Sequence, residues 1–265
     1  MSNIFLRALK MICYVISKKS NISFTMSNGL RAILLSAGLG TRLRPLTNKK
    51  PKCLMEINNV PILRIWIEKL AQIGCTEILI NTHYLAEQVR KFIEDYHSNS
   101  IKITISHEKT LLGTAGTLIK NIDFVNGDTI FMHSDNFTTC DLNGLLEMNK
   151  NKAENCLLTM LTFETDKPSS CGVVETDKNG ILKAFYEKVD NPPSKIANGA
   201  IYIFDKEFVN WLKEQKEDFV DFSKDVLPKL INKIQTWHTK DFFIDIGTPE
   251  SLKLAQLNAI SKKKV

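Results

Sequence analysis

The chain has 265 residues, 43% of them hydrophobic and 24% charged, with a formal net charge of +6 at pH 7. That composition excludes an intrinsically disordered chain and suffices for a full hydrophobic core, and no run reaches the roughly 18 uninterrupted apolar residues of a membrane-spanning helix. The positive charge sits at the ends: Arg7, Lys10, Lys18 and Lys19 lie in a stretch without acids, and Lys262, Lys263 and Lys264 close the chain. With those removed the body is slightly acidic, so no basic face points to a nucleic acid and a small-molecule partner is expected. Cys13, Cys53, Cys75, Cys140, Cys156 and Cys171 show no metal-binding spacing and read as free thiols of a cytoplasmic protein.

Residues 1–30 read as a poorly ordered extension. The apolar run 4–16 is broken by Arg7 and Lys10 and lacks a cleavage site, which makes a poor signal peptide. A second Met-Ser-Asn at Met26 suggests that translation starts there. From Arg31 onward strands alternate with amphipathic helices. Strands are expected at 31–36, 77–81, 102–106 and 129–133, with helices at 62–70, 85–96 and 142–149 between or after them. The second half then offers strands at 157–163, 172–175, 181–187 and 200–204, short helices near 207–213 and 223–230, a strand at 242–245 and a last helix from Pro249. The fold class expected is α/β: a Rossmann-like layered fold with a mostly parallel, mixed central sheet and a small substrate-binding β subregion. Residues 31–259 would form one unit, followed by a basic tail at 260–265.

The most informative segment is Leu35-Ser36-Ala37-Gly38-Leu39-Gly40-Thr41-Arg42-Leu43-Arg44-Pro45-Leu46-Thr47, followed by Pro51-Lys52. A loop with two glycines directly after a strand lets backbone N–H groups approach phosphate oxygens. A plain strand-to-helix turn and a dinucleotide fingerprint compete with that reading. The fingerprint fails because its third glycine falls at Leu43 and the acid expected at the end of the second strand is Asn81-Thr82. A Walker A loop is absent, since no Gly-Lys-Ser/Thr triplet occurs.

The segment resembles the signature of the sugar-1-phosphate nucleotidylyltransferases, and the likeness runs from about Arg31 to Ala255. The resemblance implies an enzyme that joins a nucleoside triphosphate to a sugar 1-phosphate with release of pyrophosphate, using Mg²⁺. It makes Arg42 and Lys52 catalytic, and Ala37, Gly38, Gly40, Thr41, Glu108, Gly113 and Thr114 nucleotide-binding. It gives Gly172, Glu187, Lys188 and Asn198 to the sugar phosphate, and Asp135 and Asp245 to the metal. The chemistry suits these types, because anion attacks anion: carboxylates hold a hard cation, Arg42 grips leaving phosphates and Lys52 places a compact charge by the α-phosphate. His133 reads as packed or outer-sphere rather than as a base.

Three positions depart from the family's pattern: Ser134 stands for the usual glycine before the metal aspartate, Val189 for a proline after Glu-Lys, and Cys171 for an aromatic. Glu108 with Leu112-Gly113-Thr114-Ala115-Gly116 is similar to relatives that use guanosine triphosphate, and a carboxylate can accept from guanine N1–H and N2–H₂ together. The preferred pair is therefore guanosine triphosphate with mannose 1-phosphate or another manno-configured sugar, with uridylyl or thymidylyl transfer as the alternative. A regulatory subunit that only binds nucleotide sugars is a further alternative, against which Arg42, Lys52, Asp135 and Asp245 stand together. Sequence leaves assembly into a homo-oligomer open.

Overall fold

The computed structural model describes residues 29–98 and 100–261; the expectations for the extension before Gly29 and for the tail after Ser261 fall outside them. The chain enters on β1 (Leu30–Leu35) and passes a small ribbon, β2 (Glu56–Ile57) and β3 (Val60–Pro61), before α1 (Ile62–Gln72) and β4 (Cys75–Thr82). Next come α2 (Ala86–Asp95), β5 (Lys102–His107), α3 (Gly113–Lys120), β6 (Thr129–His133), β7 (Asn136–Thr138) and α4 (Asn143–Lys150). The second half holds β8 (Leu158–Glu164), β9 (Gly172–Thr176), β10 (Leu182–Glu187), β11 (Ile196–Phe204), α5 (Lys206–Glu214), β12 (Ile234–Thr239), β13 (Phe243–Asp245) and α6 (Pro249–Ser261).

The central sheet runs β10-β9-β11-β6-β1-β4-β5, with β8 on β11 and β12 on β8. The strands β6, β1, β4 and β5 are mutually parallel, whereas β11 runs antiparallel to β6, β8 and β9. The sheet is thus mixed, as expected, with four parallel strands from the first half and one further parallel pair, β8 with β12, in the second. Burial on both faces explains the unbroken apolar centres of β1, β4 and β6. Ala32, Leu34, Ile78, Ile80, Ile130 and Met132 face one core with α1, while Ile33, Leu79 and Phe131 face the other with α3 and α5. From α1, Ile62, Leu63, Trp66, Ile67 and Leu70 are buried at helical spacing, each contributing roughly 1.5–3 kcal/mol. Leaving β1, the chain builds β4 and β5 on one side and returns as β6 on the other. That topological switch opens a crevice at the C-terminal ends of the parallel strands.

Five elements go beyond the expected set: the short ribbon of β2 and β3, and α3, β7 and β12. Gly113 and Gly116 break the helical signature of α3, and β7 is only three residues long. Residues 234–239 pair with β8 as β12, a parallel pairing that local sequence does not announce. The expected strand at 200–204 begins earlier, at Ile196, because a register shift between Asn198 and Tyr202 lets β11 continue against β8. The described helices include none long and apolar enough to cross a membrane. Cys53, Cys75, Cys140, Cys156 and Cys171 are unpaired.

Candidate active site

The glycine loop leaves β1 at the switch point. Gly40 takes φ 63°, and Thr47, fully buried, donates its hydroxyl to the Gly40 carbonyl at 2.7 Å. Leu43, also fully buried, anchors the short turn Thr41–Leu43 that carries Arg42 outward. Ala37 is buried beneath the loop, while a Cβ at Gly38 would meet nothing within 4 Å. The loop therefore presents backbone to open space at that point.

Behind it stands the charged cluster. Lys52 begins the turn Lys52–Leu54 after Pro51 and is 9% exposed. Its Nζ lies 2.5 Å from Asp135 Oδ2 and 2.9 Å from Asp245 Oδ1. Arg42 Nη2 reaches Asp245 Oδ2 at 3.2 Å, and Gly247 gives it room: a Cβ there would sit 2.8 Å from that nitrogen. The two aspartates, distant in sequence, meet because β7 and β13 form an antiparallel ribbon pairing Asn136 with Asp245, and because Ile246 N–H donates to the Asp135 carbonyl at 3.0 Å. Trp66 Nε1 donates to the Asn136 carbonyl at 2.7 Å and Asn136 Nδ2 to the Gly199 carbonyl at 2.9 Å, which ties the ribbon to α1 and β11.

Burial works against the charge on Lys52, but the attraction of Asp135 and Asp245 outweighs it and raises the ammonium above its ordinary pKa. Burial likewise pushes Asp135 up, and the positive charge of Lys52 together with His133 overcomes it and holds the carboxyl below its usual range. His133 Nδ1 lies 3.9 Å from Asp135 Oδ1, beside the cluster.

Two hard carboxylate oxygens within reach of one ammonium suit Mg²⁺, which binds through one or two carboxylates and completes its shell with phosphate oxygens and water. Among the described residues no group of three or more His, Cys, Asp or Glu side chains gathers into a closed cage. The donor set fits an ion shared with a phosphate substrate. Ser134 turns its hydroxyl away from this face: it donates to the Leu35 carbonyl at 2.8 Å and accepts from Ser36 Oγ at 2.9 Å, adding a bond between β1 and the strand end that carries Asp135.

On the nucleotide side the expected residues are tied into hydrogen bonds from distant segments. Glu108, at the end of β5, is 2% exposed. Its Oε1 accepts from Asn81 Nδ2 at 3.0 Å and Thr117 Oγ1 at 2.6 Å, and its Oε2 accepts the Leu112 N–H at 3.2 Å. A carboxylate oxygen accepts about two hydrogen bonds, so the two-oxygen grip on guanine is closed and only Oε2 retains capacity. Gly113 and Thr114 were expected on the nucleotide. Val220 packs there: Gly113 has φ 76°, and a Cβ on it would fall 2.3 Å from the Val220 carbonyl oxygen. That same carbonyl accepts the Ala115 N–H at 2.9 Å, and Phe222 N–H donates to Thr114 Oγ1 at 2.7 Å. Gly113 and Thr114 are thus committed to a segment far away in sequence, a contact with no local signature.

The sugar-side residues cluster on β9, β10 and β11. Gly172 and Glu187 are cross-strand partners, and a Cβ at 172 would stand 2.6 Å from Glu187 Oε2, so the glycine makes room for the carboxylate. Lys188 donates its N–H to the Cys171 carbonyl at 3.1 Å and sets its largely exposed Nζ 3.3 Å from Glu187 Oε1. Asn198 Nδ2 donates to Tyr202 Oη at 2.7 Å and its Oδ1 accepts the Ala200 N–H at 2.8 Å, with Ala200 at φ 50° in the bulge. Tyr202, buried in an aromatic cluster, was not singled out by the sequence.

A glycine loop and a paired-carboxylate cluster at the switch point of an α/β sheet are the arrangement of the α/β proteins that hold phosphate groups at that crevice. The sequence pattern described as "Nucleotidyl transferase" matches residues 31–262, and the chain belongs to that family, with relatives that are sugar-1-phosphate nucleotidylyltransferases. The chain is similar to the mannose-1-phosphate guanylyltransferase catalytic subunit beta of Drosophila pseudoobscura pseudoobscura, at 33% identity over 85% of this chain and 61% of that one. It therefore spans about three fifths of that relative's length. The D-glycero-alpha-D-manno-heptose 1-phosphate guanylyltransferase of Campylobacter jejuni is 32% identical over 83% of this chain and 96% of its own. A UTP–glucose-1-phosphate uridylyltransferase of Synechocystis is 30% identical over 82% and 60%. Among solved structures, HddC from Yersinia pseudotuberculosis complexed with GMP-PN superposes with a TM-score of 0.72 at 26% identity, covering 86% of this chain and 99% of that one.

Proposed function

We propose that this protein transfers a nucleoside monophosphate from a nucleoside triphosphate to a sugar 1-phosphate. The observation that carries the reading is Lys52 Nζ held between Asp135 and Asp245 beside the glycine loop. A phosphate oxygen of the sugar attacks the α-phosphorus as the bond to the β-phosphate breaks, and pyrophosphate leaves with the electron pair. No covalent enzyme intermediate is needed. Arg42 grips the departing phosphates, Lys52 balances charge at the α-phosphate, and Lys188, steadied by Glu187, collects the incoming sugar phosphate. Asp135 and Asp245 would hold Mg²⁺, whose chemical contribution is to neutralise phosphate charge. Retention of all four charged residues favours an enzyme over a binding-only subunit. Pyrophosphate release from a grid of four nucleoside triphosphates against several sugar 1-phosphates, with Mg²⁺, tests the reading; no release from any pair overturns it.

For the substrates we infer guanosine triphosphate with mannose 1-phosphate or a manno-configured heptose 1-phosphate. The support is Glu108, an acceptor-only side chain, together with the guanylyltransferases among the relatives. With Oε1 filled, the contact falls to Oε2. Guanine offers adjacent N–H donors to such an oxygen, whereas the single N–H of uracil or thymine lies between two carbonyls that the carboxylate repels. Reaching Oε2 requires the Leu112 N–H to share it. Glu108→Gln is expected to lower kcat/KM for guanosine triphosphate about ten-fold, as when a charged hydrogen-bond partner is replaced by a neutral one. A wild-type preference for uridine triphosphate, or an unchanged preference in the variant, would overturn the base assignment and leave the reaction class intact.

A further inference from the structure

Asn81, the last residue but one of β4, stands where a dinucleotide-binding sheet carries an acid, and its amide is turned inward. The N–H of Ser36, the first residue of the glycine loop, donates to Asn81 Oδ1 at 2.6 Å. Because that N–H can only donate, the amide orientation is determined, and Nδ2 faces Glu108 Oε1 at 3.0 Å and Thr117 Oγ1 at 3.1 Å. Thr117 Oγ1 lies 2.6 Å from Glu108 Oε1 and 2.9 Å from the Gly113 carbonyl. Ser36 is 7% exposed, Asn81 3%, Glu108 2% and Thr117 1%. On the far side Ser36 Oγ continues the chain to Ser134, next to Asp135.

We propose that Asn81, with Thr117, is a specificity-determining positioning residue: the two saturate Glu108 Oε1 so that Oε2 alone is left for the base, and Asn81 registers that carboxylate against the root of the phosphate loop. The proposal rests on the reading that Glu108 reads the base. Only a side-chain amide can do this at position 81. An aspartate would accept from Ser36 but set a second carboxylate against Oε1, and an apolar residue would leave both the Ser36 N–H and Oε1 short of a partner. The base side and the phosphate side of the crevice are therefore held at one spacing by a single residue, which a triphosphate must match at both ends.

The test measures kcat/KM for guanosine and uridine triphosphate, at saturating mannose 1-phosphate and Mg²⁺, in the full chain carrying Asn81→Asp, Thr117→Val or Glu108→Gln. The expected result is that Asn81→Asp and Thr117→Val each shrink the ratio of the two kcat/KM values about five- to ten-fold, less than the full loss of a hydrogen bond to a charged group because the effect reaches the base through Glu108, with KM for the sugar phosphate unchanged within about two-fold. In a Glu108→Gln background Thr117→Val is expected to shift that ratio no further, since it acts through the missing carboxylate. A purely structural role lowers the folded fraction, scaling both nucleotides equally and leaving the ratio fixed; that outcome overturns the proposal. Thr117→Val is nearly isosteric and gives the answer even if Asn81→Asp does not fold. If Glu108→Gln changes the ratio while the other two do not, this proposal alone fails. If Glu108→Gln leaves it unchanged, the base reading fails and the proposal with it.

Discussion

Lys52→Ala is expected to lower kcat by about two to three orders of magnitude, the range found when one preorganised charge-stabilising group is removed. Among the described residues the ammonium is the cation that pairs with both aspartates, and it sits beside the glycine loop, where the proposed reaction brings anion to anion. The fold should survive, because the surrounding turn is held by Cys53 and Leu54 in the core and not by the ammonium. The variant also leaves Asp135 and Asp245 facing each other, with Arg42 on Asp245 and His133 3.9 Å from Asp135. Asp135, now held below the usual carboxylate range, then loses its main opposing charge and its pKa rises. A depressed carboxyl contributes stability above its unfolded pKa and loses it as the pH falls through the folded pKa, so the variant should melt lower than wild type at neutral pH, with the gap closing towards acid. Mg²⁺ should raise the melting temperature of Lys52→Ala more than that of wild type, since no ammonium competes for the two oxygens. Thermal melts with and without Mg²⁺, beside kcat at saturating substrates, check both parts. Near-normal turnover contradicts the assigned role.

Asp135→Ala should cost turnover to a similar extent, again by orders of magnitude, but with a different signature. Here Lys52 keeps Asp245, and what disappears is the more sheltered of the two carboxylates, fixed on the strand end of β6 by the Ile246 N–H on its own carbonyl. Its backbone position does not depend on the side chain, so the active-site frame stays. The expected readout is a large fall in kcat together with a rise in the Mg²⁺ concentration needed for half-maximal rate, because one of the two carboxylates proposed to hold the ion is gone. Asp135→Asn should behave alike despite its equal shape, since a neutral amide neither balances Lys52 nor attracts the cation. If Asp135→Asn kept most of the activity and the same Mg²⁺ dependence, the carboxylate would be a structural partner of Lys52 and no more.

Much of this protein was legible in its residues. The apolar run of β1, the helical spacing of Ile62, Leu63, Trp66, Ile67 and Leu70, and Thr129–His133 are local patterns that a short window contains in full, because period and turn chemistry are properties of neighbouring residues. The two-glycine loop after β1 was legible for the same reason, whereas Lys52 entered through the family resemblance and its place between Asp135 and Asp245 came from tertiary contacts. Other features were decided by contacts between segments far apart. Gly113 and Gly116 mask a helix whose first turn is completed by the Val220 carbonyl, and residues 234–239 become a strand only against β8. Whether Glu108 offers one oxygen or two depended on Asn81 and Thr117, which reach it from another strand and from α3. A buried polar group must find its partners wherever the fold brings them, so the direction of a carboxylate at a strand end is settled by tertiary packing, whereas the presence of the strand is written in its own residues.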